Sequence, residues 1–124
     1  MILLDTNIFI EIYRDNVDVA AVVDNMQEIA VCDVVCAELF YGARNKHELK
    51  EISADMEELT VLPILPQISE MAVNFVKQYC LSHKLELADA LIAATAVYHN
   101  IELYTLNVKD FTFIPNLKLH KINS

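Results

Sequence analysis

Met1-Ile2-Leu3-Leu4-Asp5-Thr6-Asn7-Ile8-Phe9-Ile10 is the stretch that decides the fold. Four consecutive apolar residues that stop at an acid suit a short strand buried on both faces. Asp5, Thr6 and Asn7 carry side chains suited to capping the opening turn of a helix. Ile8, Phe9, Ile10, Ile12 and Tyr13 then follow as that helix. A strand that runs directly into a helix is the first half of a parallel crossover, and the same alternation recurs along the chain.

Asp15 and Asn16 read as a break, and Val19 to Met26 as a short helix. Ile29 to Cys32 is a second apolar run, with Asp33 placed to cap the helix that carries Val35, Leu39 and Phe40. Gly42 falls near the end of that helix. Between Asn45 and Leu59 the apolar residues Leu49, Ile52, Met56 and Leu59 stand three or four apart. Glu48, Lys50, Glu51, Asp55, Glu57 and Glu58 fill the gaps, which predicts an amphipathic helix with a solvated acidic face. Val61 to Leu65 is a third strand candidate, weakened by Pro63. Ile68, Met71, Ala72, Phe75, Val76 and Tyr79 trace a further helical stripe. Leu87 to His99 is apolar on most sides, as a central buried helix is. Glu102 to Leu106 and Leu117 to Ile122 complete five strand candidates. The predicted fold is an α/β/α sandwich around a mostly parallel sheet of about five strands, one domain over residues 1–124.

Composition agrees. The 124 residues are 55% apolar and 22% charged, which excludes a disordered chain. One glycine and three prolines are too few for the turns of an all-β sandwich. Eighteen acids against nine Lys and Arg give a net charge of −9, so the usual electrostatic footprint of a nucleic-acid binder is missing. Acids gathered around divalent cations can nonetheless present a locally positive site. Three cysteines, Cys32, Cys36 and Cys80, are an odd number, which favours a reducing cytoplasm over a disulfide framework. Asp5 interrupts the first apolar run, so neither a signal peptide nor a membrane span is expected.

Most acids suit a solvated surface, but Asp5, Glu38 and Asp89 do not. Glu38 lies in Val34-Val35-Cys36-Ala37-Glu38-Leu39-Phe40, and Asp89 in Leu87-Ala88-Asp89-Ala90-Leu91-Ile92-Ala93-Ala94. Each is a lone carboxylate among apolar neighbours with almost no Arg or Lys nearby. Burying such a charge unpaired costs several kcal/mol or more. Divalent cations are the natural compensation. The plainer reading for Asp5 and Asp89 is helix capping, since both fall near helix starts. Parallel sheets gather their sites beyond the carboxyl ends of the strands. Asp5 follows the first strand at once, and Asn107 and Asp110 follow the fourth.

Asp5-Thr6-Asn7 after an apolar strand, Ala37-Glu38-Leu39-Phe40-Tyr41-Gly42, Ala88-Asp89-Ala90-Leu91-Ile92-Ala93-Ala94-Thr95-Ala96 and Thr105-Leu106-Asn107-Val108-Lys109-Asp110-Phe111 occur in that order. Together they resemble a PIN domain, in particular the VapC-type toxins of toxin–antitoxin pairs, over essentially the whole chain. The resemblance implies a PIN-like fold and a Mg2+- or Mn2+-dependent endoribonuclease that hydrolyses RNA through metal-activated water. The family's acids match Asp5, Glu38 and Asp89. Its fourth acid falls where this chain has Asn107 or, slightly later, Asp110. Thr6, Asn7 and Thr105 match positions that support the acidic cluster. The resemblance also implies a homodimer, a cognate antitoxin, and structured RNA, possibly tRNA, as substrate. Arg14, Arg44, Lys46, Lys84 and Lys109 are candidates for holding it. Phe9, Tyr13, Phe40 and Tyr41 are read as core or interface residues.

Three other readings compete. A catalytically weak PIN-like module would bind RNA or an antitoxin without turnover, since Asn107 carries no charge. A receiver domain has the right length and alternation, but needs an acidic pair after its first strand, where Asp5 stands alone. Zinc bound by the three cysteines and one of His47, His83, His99 or His120 lacks any close ligand pair.

Overall fold

Leu3 and Leu4 are fully buried, as an apolar run in a central strand must be. They belong to β1 (Ile2–Leu4), the middle strand of the sheet in the computed structural model, which describes residues 1–122. The other strands are β2 (Ile29–Cys32), β3 (Thr60–Leu62), β4 (Glu102–Tyr104) and β5 (Lys118–Leu119). Their order is β3-β2-β1-β4-β5, and every neighbouring pair is parallel. Six helices connect them: α1 (Thr6–Tyr13), α2 (Val17–Asp24), α3 (Asp33–Tyr41), α4 (Lys46–Glu57), α5 (Pro66–His83) and α6 (Leu87–His99).

The chain builds β1, β2 and β3 outward in one direction. It then returns through α5 and α6 to place β4 on the other side of β1. The strand order therefore reverses between β1 and β4, and a crevice opens where connections leave in opposite directions. The same order excludes a receiver, whose sheet runs 2-1-3-4-5. Ala90 and the run Ile92–Ala96 of α6 are buried, so the predicted central helix is observed.

Local chemistry moves several boundaries. α2 starts at Val17, two residues early, because the Asn16 side chain accepts the N–H of Val19 at 3.2 Å. Asp33 does not cap α3. It is the first helical residue, and its carboxylate accepts the N–H of Ile64 at 3.3 Å. β3 ends at Leu62 because Pro63 has no N–H to donate. β4 ends at Tyr104, and the fifth strand keeps only two residues. Leu49 is 42% exposed rather than core. It sits toward the start of α4 and lines a surface depression with Lys46, Lys50 and Ser53. No helix of the described residues is long and apolar enough to cross a membrane.

Candidate active site

Parallel register places the first functional pair. Leu4 stands opposite Tyr104, and the Asp5 N–H donates to the Tyr104 carbonyl at 3.0 Å. The next residue of each strand therefore leaves the sheet at the switch point beside the other. Asp5 Oδ2 accepts the Thr105 hydroxyl at 2.7 Å, and Oδ1 accepts the Thr6 N–H at 2.7 Å. Asp5 thus caps α1 and belongs to the crevice at once, so the two readings of that residue are not exclusive.

Asn7 locks the arrangement. Its amide donates to Asp5 Oδ2 and to Thr105 Oγ1, both at 3.3 Å, while its carbonyl accepts the Leu106 N–H at 3.2 Å. The Thr105 oxygen also accepts the Asn107 N–H at 3.0 Å. Three elements, the end of β1, the start of α1 and the loop after β4, are tied through one buried carboxylate.

Glu38 joins from α3, where its Oε1 accepts the Thr6 hydroxyl at 2.7 Å. It is exposed, which corrects the reading of Glu38 as a carboxylate in apolar surroundings. Helical periodicity turns Val35, Cys36 and Leu39 inward and Glu38 out. Asp89 sits in the first turn of α6 and is half-buried. Its carboxyl is pushed up to about 6, first by burial and then by the charges of Asp5, Asp110, Glu38 and Glu86. Asp5 is also raised, by burial first, with the bonds from Thr105 and Thr6 opposing and the charges of Glu38 and Asp110 adding. Four carboxylates, on Asp5, Glu38, Asp89 and Asp110, therefore share one field.

Asn107 and Asp110 separate here. Asn107 is exposed, and its backbone contributes by donating to Thr105 and by opening the single 3₁₀ turn Val108–Asp110. Asp110 carries the charge felt by both buried acids. No sequence signal chose between them; the turn, seen only in the structure, brings a residue three positions on back toward the strand end.

The donor set is hard oxygen, as Mg2+ or Mn2+ requires, and its mutual repulsion is what a divalent ion relieves. Among the described residues no group of three or more His, Cys, Asp or Glu side chains stands close enough together to hold a metal ion. That is compatible with Mg2+, which keeps several waters and takes one or two carboxylates plus substrate phosphate. Zinc finds no site. Cys32 and Cys36 are buried, Cys80 is exposed, and all three are free thiols. Burial pushes the Cys32 thiol up to about 11.

A groove of about 420 Å³ leads away from Glu38. It is lined by Ile10, Tyr13 and Arg14 on one side, Glu38, Leu39, Gly42 and Arg44 on the other, and Ile52. Two of the candidate cations, Arg14 and Arg44, thus flank a path into the acids. The Arg44 guanidinium is held by Glu48 at 2.7 Å. Lys46 lines the separate depression on α4. Lys84 takes the left-handed cap of α5, and Lys109 lies in the turn beside Asp110. The aromatics divide. Phe9 is buried and Phe40 half-buried, whereas Tyr13 is part-exposed and donates to Asp55 at 2.7 Å across to α4. Tyr41 is 94% exposed, so it belongs to no core. Nothing in the sequence pattern announced the Tyr13–Asp55 bridge, which depends on how α1 and α4 meet.

Thr105→Val tests the network without removing an acid. We expect the Asp5 carboxyl to rise further, followed by carbon-detected NMR titration, and Mn2+ affinity to fall about tenfold or more in calorimetry, as loss of an outer-shell partner does. Unchanged titration and affinity would mean that the hydroxyl is only structural.

The family model for the PIN domain matches residues 2–112. Ribonuclease VapC19 of Mycobacterium tuberculosis is 31% identical over 123 residues, covering 95% of this chain and 98% of the relative. A toxin–antitoxin complex from Klebsiella pneumoniae contains a chain that superposes with a TM-score of 0.81 at 29% identity, over 94% of this chain and 95% of that one. VapBC-1 from nontypeable Haemophilus influenzae gives 0.79 at 27% identity, over 97% of each chain.

Proposed function

The chain belongs to the PIN domain family, and on that premise we infer that it is an endoribonuclease, the toxin of a toxin–antitoxin pair. What supports the chemistry is that the charges of Glu38 and Asp110 reach Asp5, that those of Asp5, Asp110 and Glu38 reach Asp89, and that among the described residues none of the four is in an ion pair. Such a cluster is costly in a protein that does not use it.

Asp5 and Asp89 are the ligands for Mg2+ or Mn2+. When bound, the ion supplies positive charge for the scissile phosphate and lowers the pKa of the attacking water. Glu38, exposed at the mouth, orients that water and accepts its proton as the water oxygen bonds to phosphorus and the bond from phosphorus to the leaving ribose oxygen breaks, the leaving oxygen taking a proton from solvent. Thr105, Asn7 and Thr6 hold Asp5 and Glu38 in place through the bonds described above. Arg14 and Arg44 offer the phosphate backbone a sparse grip along the groove, with Lys46, Lys84 and Lys109 as outlying contacts. Asn107 shapes the turn that presents Asp110. The binding-only alternative rested on the missing charge at Asn107, and the charge of Asp110 weighs against it.

The same pocket suits an antitoxin. An arginine from its chain would neutralise the acids as the metal does. We read the working form as a homodimer acting on structured RNA such as tRNA in the cytoplasm. A strict monomer by light scattering at high concentration would count against the dimer.

The decisive test is incubation of the purified chain, free of antitoxin, with total cellular RNA in Mg2+, Mn2+ or EDTA. Discrete fragments in metal and none in EDTA are expected, and their ends identify the target. Cleavage of equal extent in EDTA would overturn the metal-dependent reading.

A further inference from the structure

Resting on the ribonuclease reading above, we propose that Glu48 masks Arg44 from RNA by taking the place of a phosphate on its guanidinium, which leaves Arg14 as the cation that positions the RNA backbone in the groove beside Glu38. Of the five candidate cations, only Arg14 and Arg44 line the groove that contains Glu38. They are not equivalent. Glu48 Oε2 accepts from Arg44 Nη2 at 2.7 Å and from Nε at 3.0 Å. Its Oε1 accepts from the same Nε at 3.2 Å and from the Arg44 backbone N–H at 2.9 Å. The edge formed by Nε and Nη2 is the fork that fits two oxygens of a carboxylate or of a phosphate. That edge of Arg44 is already filled, and its charge is cancelled at the place where a phosphate would meet it.

An exposed ion pair is weak when both partners are free to move. Here the carboxylate is placed in advance. Glu48 lies in the first turn of α4, where the Asn45 cap accepts its N–H at 2.9 Å, and its own carboxylate reaches back to the backbone of Arg44. This is a close relative of the capping box, and it fixes the glutamate at both ends. The Arg44 side chain, before its backbone N–H, holds the Glu48 carboxyl below its usual range, so the mask stays ionised. A tethered carboxylate also competes at high effective concentration against a phosphate that must arrive from solution. Arg14 has no such competitor. It follows α1 as its cap residue, and among the described residues it is in no ion pair. With nine Lys and Arg against eighteen acids, one unmasked cation in the groove decides where a phosphate strand can lie.

The salt dependence of RNA binding tests this, read by anisotropy of fluorescein-labelled tRNA on an Asp89→Asn background that does not cleave it. Arg14→Ala should flatten the slope of log affinity against log salt by about one ion. In the cleaving chain the same change should raise KM more than it lowers kcat. Glu48→Gln should steepen the slope by about one ion, so that its gain over the parent widens about tenfold for each tenfold drop in salt. Gln serves the capping position as Glu does, so the helix start is kept while the Arg44 fork is freed. Adding Arg44→Gln to Glu48→Gln should return the slope to the parent value. A slope that Glu48→Gln leaves unchanged, or a steepening that survives the loss of Arg44, would overturn the masking. A slope that Arg14→Ala leaves unchanged would overturn the role of Arg14. Either failure leaves the ribonuclease standing, whereas a parent chain that neither binds nor cleaves RNA in any metal overturns both readings.

Discussion

Asp89→Asn yields a folded protein that no longer cleaves RNA and that unfolds at a higher temperature than the parent in EDTA. The two effects have opposite sign for one reason. At neutral pH the Asp89 carboxylate is held ionised against burial and against Asp5, Asp110, Glu38 and Glu86. Removing its charge relieves that repulsion. After discount for the solvent that reaches a half-buried group, the gain is on the order of 1–2 kcal/mol, a few degrees in Tm for a domain of this size. Activity moves the other way, because the amide is a neutral and weaker ligand for a hard cation. Cleavage should fall by at least 10²-fold in matched preparations. Asp5→Asn should lose activity equally but gain less stability, since the amide cannot accept from both Thr6 and Thr105 while leaving the Asn7 contact intact. Calorimetric melts in EDTA and RNA cleavage in Mn2+ check both limbs. An Asp89→Asn protein that cleaves like the parent sinks the metal-ligand role. One that melts lower in EDTA means that the carboxylate is mainly a cap for α6.

The sequence made the sheet legible because its strands are short continuous apolar runs with capping residues directly after them. Leu3-Leu4-Asp5 shows this best: burial, stop and cap lie in adjacent residues, and the structure keeps all three roles. Asp5 and the loop after β4 could be placed on one rim by the rule for parallel sheets alone, whereas Asp89 could not, because its helix follows another helix and not a strand. What periodicity could not supply was depth. Glu38 has the same apolar neighbours in sequence as Asp89, yet one is exposed and the other half-buried. α3 ends the outer side of the crevice, whereas α6 runs through the core. Tyr41 went the same way. Its neighbour Phe40 turns inward and Tyr41 out, a matter of 100° of helix that an apolar count does not register. The Asn107–Asp110 choice needed the tight turn Val108–Asp110, which no hydrophobic pattern marks.

The second large effect is a dependence on pH that reverses when metal is added. Asp89 titrates near 6 in the folded chain, and Asp5 too is raised above its usual value near 3.8. A carboxyl whose folded pKa exceeds its unfolded one binds more protons in the native state, so stability falls as pH rises through the interval between the two. For Asp89 that interval runs from about 4 to about 6, and above it the loss is complete. In EDTA the chain should therefore melt highest near the acid end of that window and reach a lower plateau above neutrality. A divalent ion competes with the same protons. Its stabilisation should be nearly absent at the acid end and full above neutrality. With ion at about 100 times its Kd it amounts to about 2.7 kcal/mol, enough to invert the trend. RNA cleavage should rise through the same interval if, as proposed, the ionised pair is what binds the ion. Melting curves across pH with Mn2+ and with EDTA test this directly. A Mn2+ increment that stays constant from acid to alkaline pH would mean that the ion binds elsewhere. A metal-free stability that rises with pH would mean that Asp5 and Asp89 are paired with positive charge rather than crowded by negative.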